Sequence, residues 1–231
     1  AYGYPLKGFY NEAHLTTDKL SGILEKFPNV RSILYCGNHG DPMMNPDIVG
    51  LCTNDKQISI ATNGGIGRID DYVRLADIGT HITFGIDGLE DTNHLYRQGV
   101  KWNHLMKRVE TFISAGGQAT WQFIRFKHNM DQVAQAESLS REMGFVDFFT
   151  MDVGRNNMPA IHPDKSISHW ILPPHPDAKP QNFDVDQYLK MRYKPINLNP
   201  PTYDNPKISC EHLDGSMYVN SCLLYTSDAA D

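Results

Sequence analysis

The sequence predicts an α/β fold, a barrel built from parallel strands. Three observations carry this. Short apolar runs near 31–36, 57–61, 81–86, 119–126 and 146–153 alternate with stretches of helical period. The connections between them are short, as in βα units of a parallel sheet. Each run ends in a polar or glycine-bearing turn, and in a barrel such turns gather on one ligand-binding face. An open doubly wound sheet fits less well, because no phosphate-cradling glycine fingerprint opens a helix.

The 231 residues suffice for one domain of ordinary size and an appendage. With 40% hydrophobic and 21% charged residues, a packed core is expected rather than disorder. A formal charge of -6 repels phosphates and argues against a general nucleic-acid binder. No apolar run reaches the length of a membrane span. No signal peptide is visible, although a start without Met leaves the true N-terminus unseen. Four cysteines, Cys36, Cys52, Cys210 and Cys222, are too few and too scattered for a disulfide scaffold. No CxxC pair occurs, so a cytoplasmic, reducing compartment is expected. Cys36 and Cys52 read as small buried hydrophobes.

Taken in order, a first helix starts at Thr17 or Asp18, either of which can cap it, and puts Leu20, Ile23, Leu24 and Phe27 on one face before Pro28. The strand near 31–36 stops at Gly37-Asn38-His39-Gly40, followed by Asp41-Pro42. Two glycines let the backbone approach a ligand, and Asp41 adds a carboxylate; the same stretch also reads as a plain strand-to-helix turn. A helix near 46–52 follows, with Pro46 at an early position. The second strand ends at Thr62-Asn63-Gly64-Gly65, and a helix near 68–77 carries Ile69, Tyr72, Val73 and Ala76 on one side. The third, His81 to Ile86, ends at Asp87-Gly88. A long helix near 102–115 groups Leu105, Met106, Val109, Phe112 and Ile113, then stops at Gly116-Gly117. The fourth strand, Ala119 to Phe126, ends at Lys127-His128-Asn129, which can either meet a ligand or cap the turn into a helix near 131–143. A fifth spans Val146 to Val153. The chain enters by a helix, so at least one strand and its loop are expected upstream of residue 1.

From 154 to 207 ten prolines are expected to break up regular structure, leaving an extended arm with a turn or two of helix within 183–193. His162, His169 and His175 in this arm match no metal-ligand spacing and read as solvated. Residues 222–231, Cys-Leu-Leu-Tyr-Thr-Ser-Asp-Ala-Ala-Asp, look like a translated sequencing adapter, which makes the chain a fragment cut at both ends.

The turns come in a fixed order: Gly40-Asp41-Pro42, Thr62-Asn63-Gly64, Gly85-Ile86-Asp87-Gly88, then Leu95-Tyr96-Arg97-Gln98-Gly99 with Trp102 opening the next helix. This resembles the radical S-adenosylmethionine superfamily, in its branch with a C-terminal auxiliary-cluster domain (SPASM, or the shorter twitch form). The resemblance covers about 17–153, and 207–220 more weakly. It implies a partial (β/α)6-type TIM-like barrel whose first strand is missing, followed by a linker and, at 208–221, the truncated start of the auxiliary domain.

The resemblance also implies roles. Gly40-Asp41 stands at the family's Gly-Gly-Glu turn, which binds the methionyl amino group of S-adenosylmethionine; here His39 replaces a glycine and Asp replaces Glu. Thr62 and Asn63 match the Thr-Asn-Gly turn near the nucleoside. Gly85 stands where the family often has a cofactor-contacting Ser, and Asp87 matches that motif's Asp. Arg97 matches the arginine that pairs with the cofactor carboxylate, which suits an arginine fork; a helix-edge surface charge is its bland alternative. Cys210 would ligate an auxiliary iron–sulfur cluster.

The CxxxCxxC segment that holds the catalytic [4Fe–4S] cluster is not in these residues; its place lies before residue 1, so the chain as written is expected to be inactive. The intact parent would cleave S-adenosylmethionine reductively to a 5′-deoxyadenosyl radical, with a reductant such as flavodoxin or ferredoxin, and act on a peptide, protein or small molecule. Two other readings stay open. One is an iron-free barrel aldolase or isomerase using Asp41, Asp87 and Lys127. The other is a non-catalytic relative that keeps the barrel and has lost its cluster.

Overall fold

The computed structural model describes residues 14–37, 40–152, 157–162, 164–192 and 216–220. Its frame is one parallel sheet in the order β5-β4-β3-β2-β1-β8. These strands are β1 (Ser32–Cys36), β2 (Gln57–Thr62), β3 (His81–Gly85), β4 (Gln118–Ile124), β5 (Asp147–Met151) and β8 (Ser216–Asn220). Helices α1 (Thr17–Lys26), α2 (Ile48–Cys52), α3 (Ile69–Asp77), α5 (Trp102–Ser114) and α6 (Val133–Met143) alternate with β1–β5. The result is the expected α/β architecture, a partial TIM-like barrel.

Strand alternation sorts the side chains. Ile33 and Tyr35, Ile58 and Ile60, Ile82 and Phe84, and Ala119, Trp121 and Phe123 are all buried and join one core with Tyr72, Leu75, Leu105, Val109, Phe112 and Ala136 from the helices. Period 2 along each strand therefore meets period 3.6 along each helix. The intervening residues, including Leu34, Ser59, Ala61, Thr83 and Gln122, are only half-buried. They line the sheet's other face, which mixes small and polar residues with Leu34 and Ile124. Large polar groups in the core are satisfied: the Trp121 indole donates to the Ile86 carbonyl at 2.8 Å, and the Tyr35 hydroxyl to the Leu51 carbonyl at 2.9 Å.

Several expectations shift. Helix α1 is capped by Thr16, one residue before the two candidates, whose hydroxyl accepts from the Lys19 amide. A short helix, α4 (Asn93–Tyr96), stands between β3 and α5. The prolines of the arm do not abolish regular structure. β6 (Met158–Ile161) and β7 (Ile167–Ile171) form an antiparallel ribbon, with Pro159 opposite Trp170. Both strands of a two-stranded ribbon have a free edge, so the N–H that Pro159 lacks is not required there. Helix α7 (Val185–Arg192) falls where a turn or two was expected. Strand β8 lies parallel to β1, Ser32 opposite Ser216 and Cys36 opposite Asn220. It forms the edge of the sheet beside β1. Cys210 and Cys222 lie outside the described residues.

Candidate functional site

The C-terminal ends of β1–β4 share one face, as parallel strands require, and their turns are tied together by side chains. Asp41, which follows β1, is 7% exposed. Its Oδ1 accepts from the Met43 amide at 3.0 Å and the Thr62 hydroxyl at 2.8 Å. Its Oδ2 lies 2.9 Å from the Thr62 hydroxyl and accepts from the Asn63 amide at 2.9 Å. Thr62 Oγ1 in turn accepts from the Gly64 amide at 3.0 Å, and Asn63 Oδ1 from the Gly65 amide at 2.8 Å. The short acid thus braces the Thr62-Asn63-Gly64 turn from the neighbouring strand. Gly64 has φ +64°, and a Cβ there would collide with Leu105, so both backbone and packing require glycine. Gly40 is exposed beside Asp41.

A second set forms after β3. Asp87 is fully buried. Its Oδ2 accepts from Arg97 Nε at 2.5 Å and its Oδ1 from the Ile124 amide at 2.7 Å. Its backbone is held at both ends: its N–H donates to Asn93 Oδ1 and its carbonyl accepts from Asn129 Nδ2, each at 2.9 Å. Asn129 also donates to the Ile124 carbonyl at 2.9 Å and accepts from the Phe126 amide at 2.6 Å. Arg97 lies at the end of α4, its side chain 20% exposed, with its Cζ 5.1 Å from the Tyr96 ring centre. Only Nε of its five N–H donors has a hydrogen-bond acceptor among the described residues. Burial pushes the carboxyls of Asp87 and Asp41 above the ordinary range, while the Arg97 charge and the hydrogen bonds pull both back down.

The arm crosses this face. The Lys127 amide donates to the Leu172 carbonyl at 3.0 Å and its ammonium to the Ala178 carbonyl at 2.9 Å. Ile171 is buried with Tyr96, Ile124 and Phe126. His169 is not a solvated loop histidine: its Nε2 meets the Leu95 carbonyl at 2.8 Å, the geometry of a protonated nitrogen donating. His128 stacks on Phe126 and its buried Nε2 has no hydrogen-bond partner among the described residues. Burial, with His169 and His94 nearby, lowers its pKa to about 4.

No protein-family model matches the chain, and no curated protein does. The fold is shared with solved structures of SuiB from Streptococcus suis. The structure bound to S-adenosylmethionine aligns with TM-score 0.52 at 18% identity, over 63% of this chain and 35% of that one. The structure bound to precursor peptide SuiA aligns with TM-score 0.53 at 17% identity, over 62% and 34%. This chain thus spans about a third of the length of the SuiB chains it matches. Similarity at this identity is similarity of fold.

Of the residues singled out in the sequence, Asp41, Thr62 and Asn63 meet in one hydrogen-bonded group, and Asp87 and Arg97 in another with Gly85 against them. The groups a barrel aldolase would need are each engaged: Asp41 with the Thr62 turn, Asp87 with Arg97, and Lys127 with Ala178. Cys52 is buried among the outer helices with its thiol pushed up to about 12, an inert packing residue. Cys36 ends β1, and burial raises its thiol as well. Asn93 gave no sequence signal; its role depends on α4, which four residues of unremarkable composition do not announce.

Proposed function

We propose that this chain is the barrel core of a radical S-adenosylmethionine enzyme and that its turn-lined face binds S-adenosylmethionine by the amino-acid end. The observation that carries the reading is Arg97: a largely buried guanidinium, fixed through Nε by Asp87, with its Nη groups unpaired among the described residues at the ligand face. Such a fork suits a carboxylate. In this reading Arg97 takes the ligand carboxylate, and the Thr62-Asn63 turn lies along the nucleoside. The Gly40-Asp41 turn takes the amino group through its backbone, since the Asp41 carboxylate is already engaged. The fold shared with S-adenosylmethionine-bound SuiB supports the assignment.

Cleavage of the cofactor in this superfamily requires a [4Fe–4S] cluster on three thiolates. No group of three metal-ligating side chains occurs among the described residues, where Cys36 and Cys52 are the free thiols. In this reading the described residues hold the cofactor, and the cluster ligands that break it lie outside them. Cys210 as an auxiliary-cluster ligand, and a peptide as substrate, belong to the same proposal; the peptide is favoured by the fold shared with peptide-bound SuiB.

Calorimetric titration of the chain with S-adenosylmethionine and with 5′-methylthioadenosine, which lacks the amino acid, tests the reading. S-adenosylmethionine should bind more tightly, and Arg97→Lys should weaken it about tenfold while leaving methylthioadenosine unchanged. Folded chain that binds neither compound would overturn the proposal.

A further inference from the structure

Gly85 is the last residue of β3, and nothing in its backbone demands glycine. Its φ lies outside the left-handed range. β3 is a central strand, where a side chain is ordinarily favoured, and glycine in it marks a close approach by something else. Here the neighbour is specific. A Cβ on Gly85 would lie 2.5 Å from Arg97 Nη2 and 3.1 Å from its Cζ, and the three atoms nearest to it all belong to the Arg97 guanidinium. The guanidinium cannot simply swing aside without loss. Its Nε is bound to Asp87, which is itself pinned by the Ile124 amide, Asn93 and Asn129.

We infer that Gly85 and Asp87 are positioning residues that set the Arg97 fork: the glycine leaves the space in which the guanidinium lies, and the aspartate holds its near edge so that the Nη edge faces the ligand. This rests on the proposed binding of an amino-acid carboxylate at Arg97 and adds a steric rule to it. A side chain at position 85 requires the guanidinium to leave the place it holds here. Serine, the residue that the family often carries there, would therefore not restore a ligand contact in this chain. It would displace the contact already present. Because the clashing atom is the tip of a flexible side chain rather than backbone, such a variant folds, and the cost falls on the site.

The test uses the full chain labelled with 15N-arginine, with Gly85→Ser, Gly85→Ala and Asp87→Asn compared with wild type. The Arg97 Nε–H signal is assigned by its disappearance in Arg97→Lys. Wild type should show it protected from exchange, and all three variants should lose that protection by tenfold or more. S-adenosylmethionine affinity should fall about tenfold in each, with 5′-methylthioadenosine affinity unchanged, a split that general loosening would not produce. Retained Nε–H protection in Gly85→Ser and Gly85→Ala, or Gly85→Ser binding S-adenosylmethionine as tightly as wild type, overturns the inference. If wild type binds no S-adenosylmethionine, the functional reading fails by itself. The exchange data still decide whether Gly85 and Asp87 seat Arg97.

Discussion

The Thr62 hydroxyl lies 2.8 and 2.9 Å from the two carboxylate oxygens of Asp41, joining the end of β2 to the turn after β1. Two neighbouring parallel strands end at the same height, so a side chain only one carbon shorter than Glu spans the gap. The same carboxylate accepts the amides of Met43 and Asn63, which makes Asp41 the brace of both turns.

Thr62→Val keeps the shape and removes the hydroxyl. It leaves the Gly64 amide and part of the Asp41 carboxylate without partners in a buried setting. The expected loss is about 1–3 kcal/mol of stability, read as a lower urea midpoint with an unchanged slope. A midpoint within error of wild type would show that the brace is energetically idle.

Asn129 is 1% exposed and satisfies the Asp87 carbonyl, the Ile124 carbonyl and the Phe126 amide. Asn129→Ala orphans all of them, at a cost on the order of 3 kcal/mol. Asn129→Asp should cost at least as much, because a carboxylate would face the two carbonyls. Thermal unfolding of both variants checks the ordering.

His128 has a pKa lowered to about 4, from an ordinary value of 6.5. Between those values the unfolded chain binds a proton that the folded chain refuses. This contribution to stability is therefore complete above pH 6.5 and declines as pH falls toward about 4. The raised carboxyls of Asp41 and Asp87 run the other way, favouring the fold at low pH, so wild type alone does not isolate the histidine. The difference in melting temperature between wild type and His128→Phe does: it should move in favour of the variant across this window and be flat above it.

Ile171 secures the β6–β7 arm against Tyr96, Ile124 and Phe126. Ile171→Ala should cost about 2–5 kcal/mol locally, which loosens the arm. Exchange of the Lys127 amide, which donates to the Leu172 carbonyl, should then accelerate while amides in β2 and β3 do not change. Uniform acceleration throughout the barrel would mean that the arm is part of one cooperative core.

The sequence by itself determined the βα alternation, the apolar runs of β1 to β5, and the turns at 40–41, 62–65 and 85–88. All depend on spacing and on residue types whose local chemistry is strong: branched and aromatic side chains at period 2, glycine and Asn at strand ends. Only the tertiary structure decided what these turns do to one another. That Asp41 braces the Asn63 turn, that Asp87 and not solvent holds Arg97, and that Gly85 is glycine because of Arg97 are contacts across 10 to 22 residues of chain. The arm showed the same limit. Its prolines signalled irregularity, yet Ile171 found a buried seat, because burial against residues far away in sequence outweighs a local propensity that a free strand edge does not enforce.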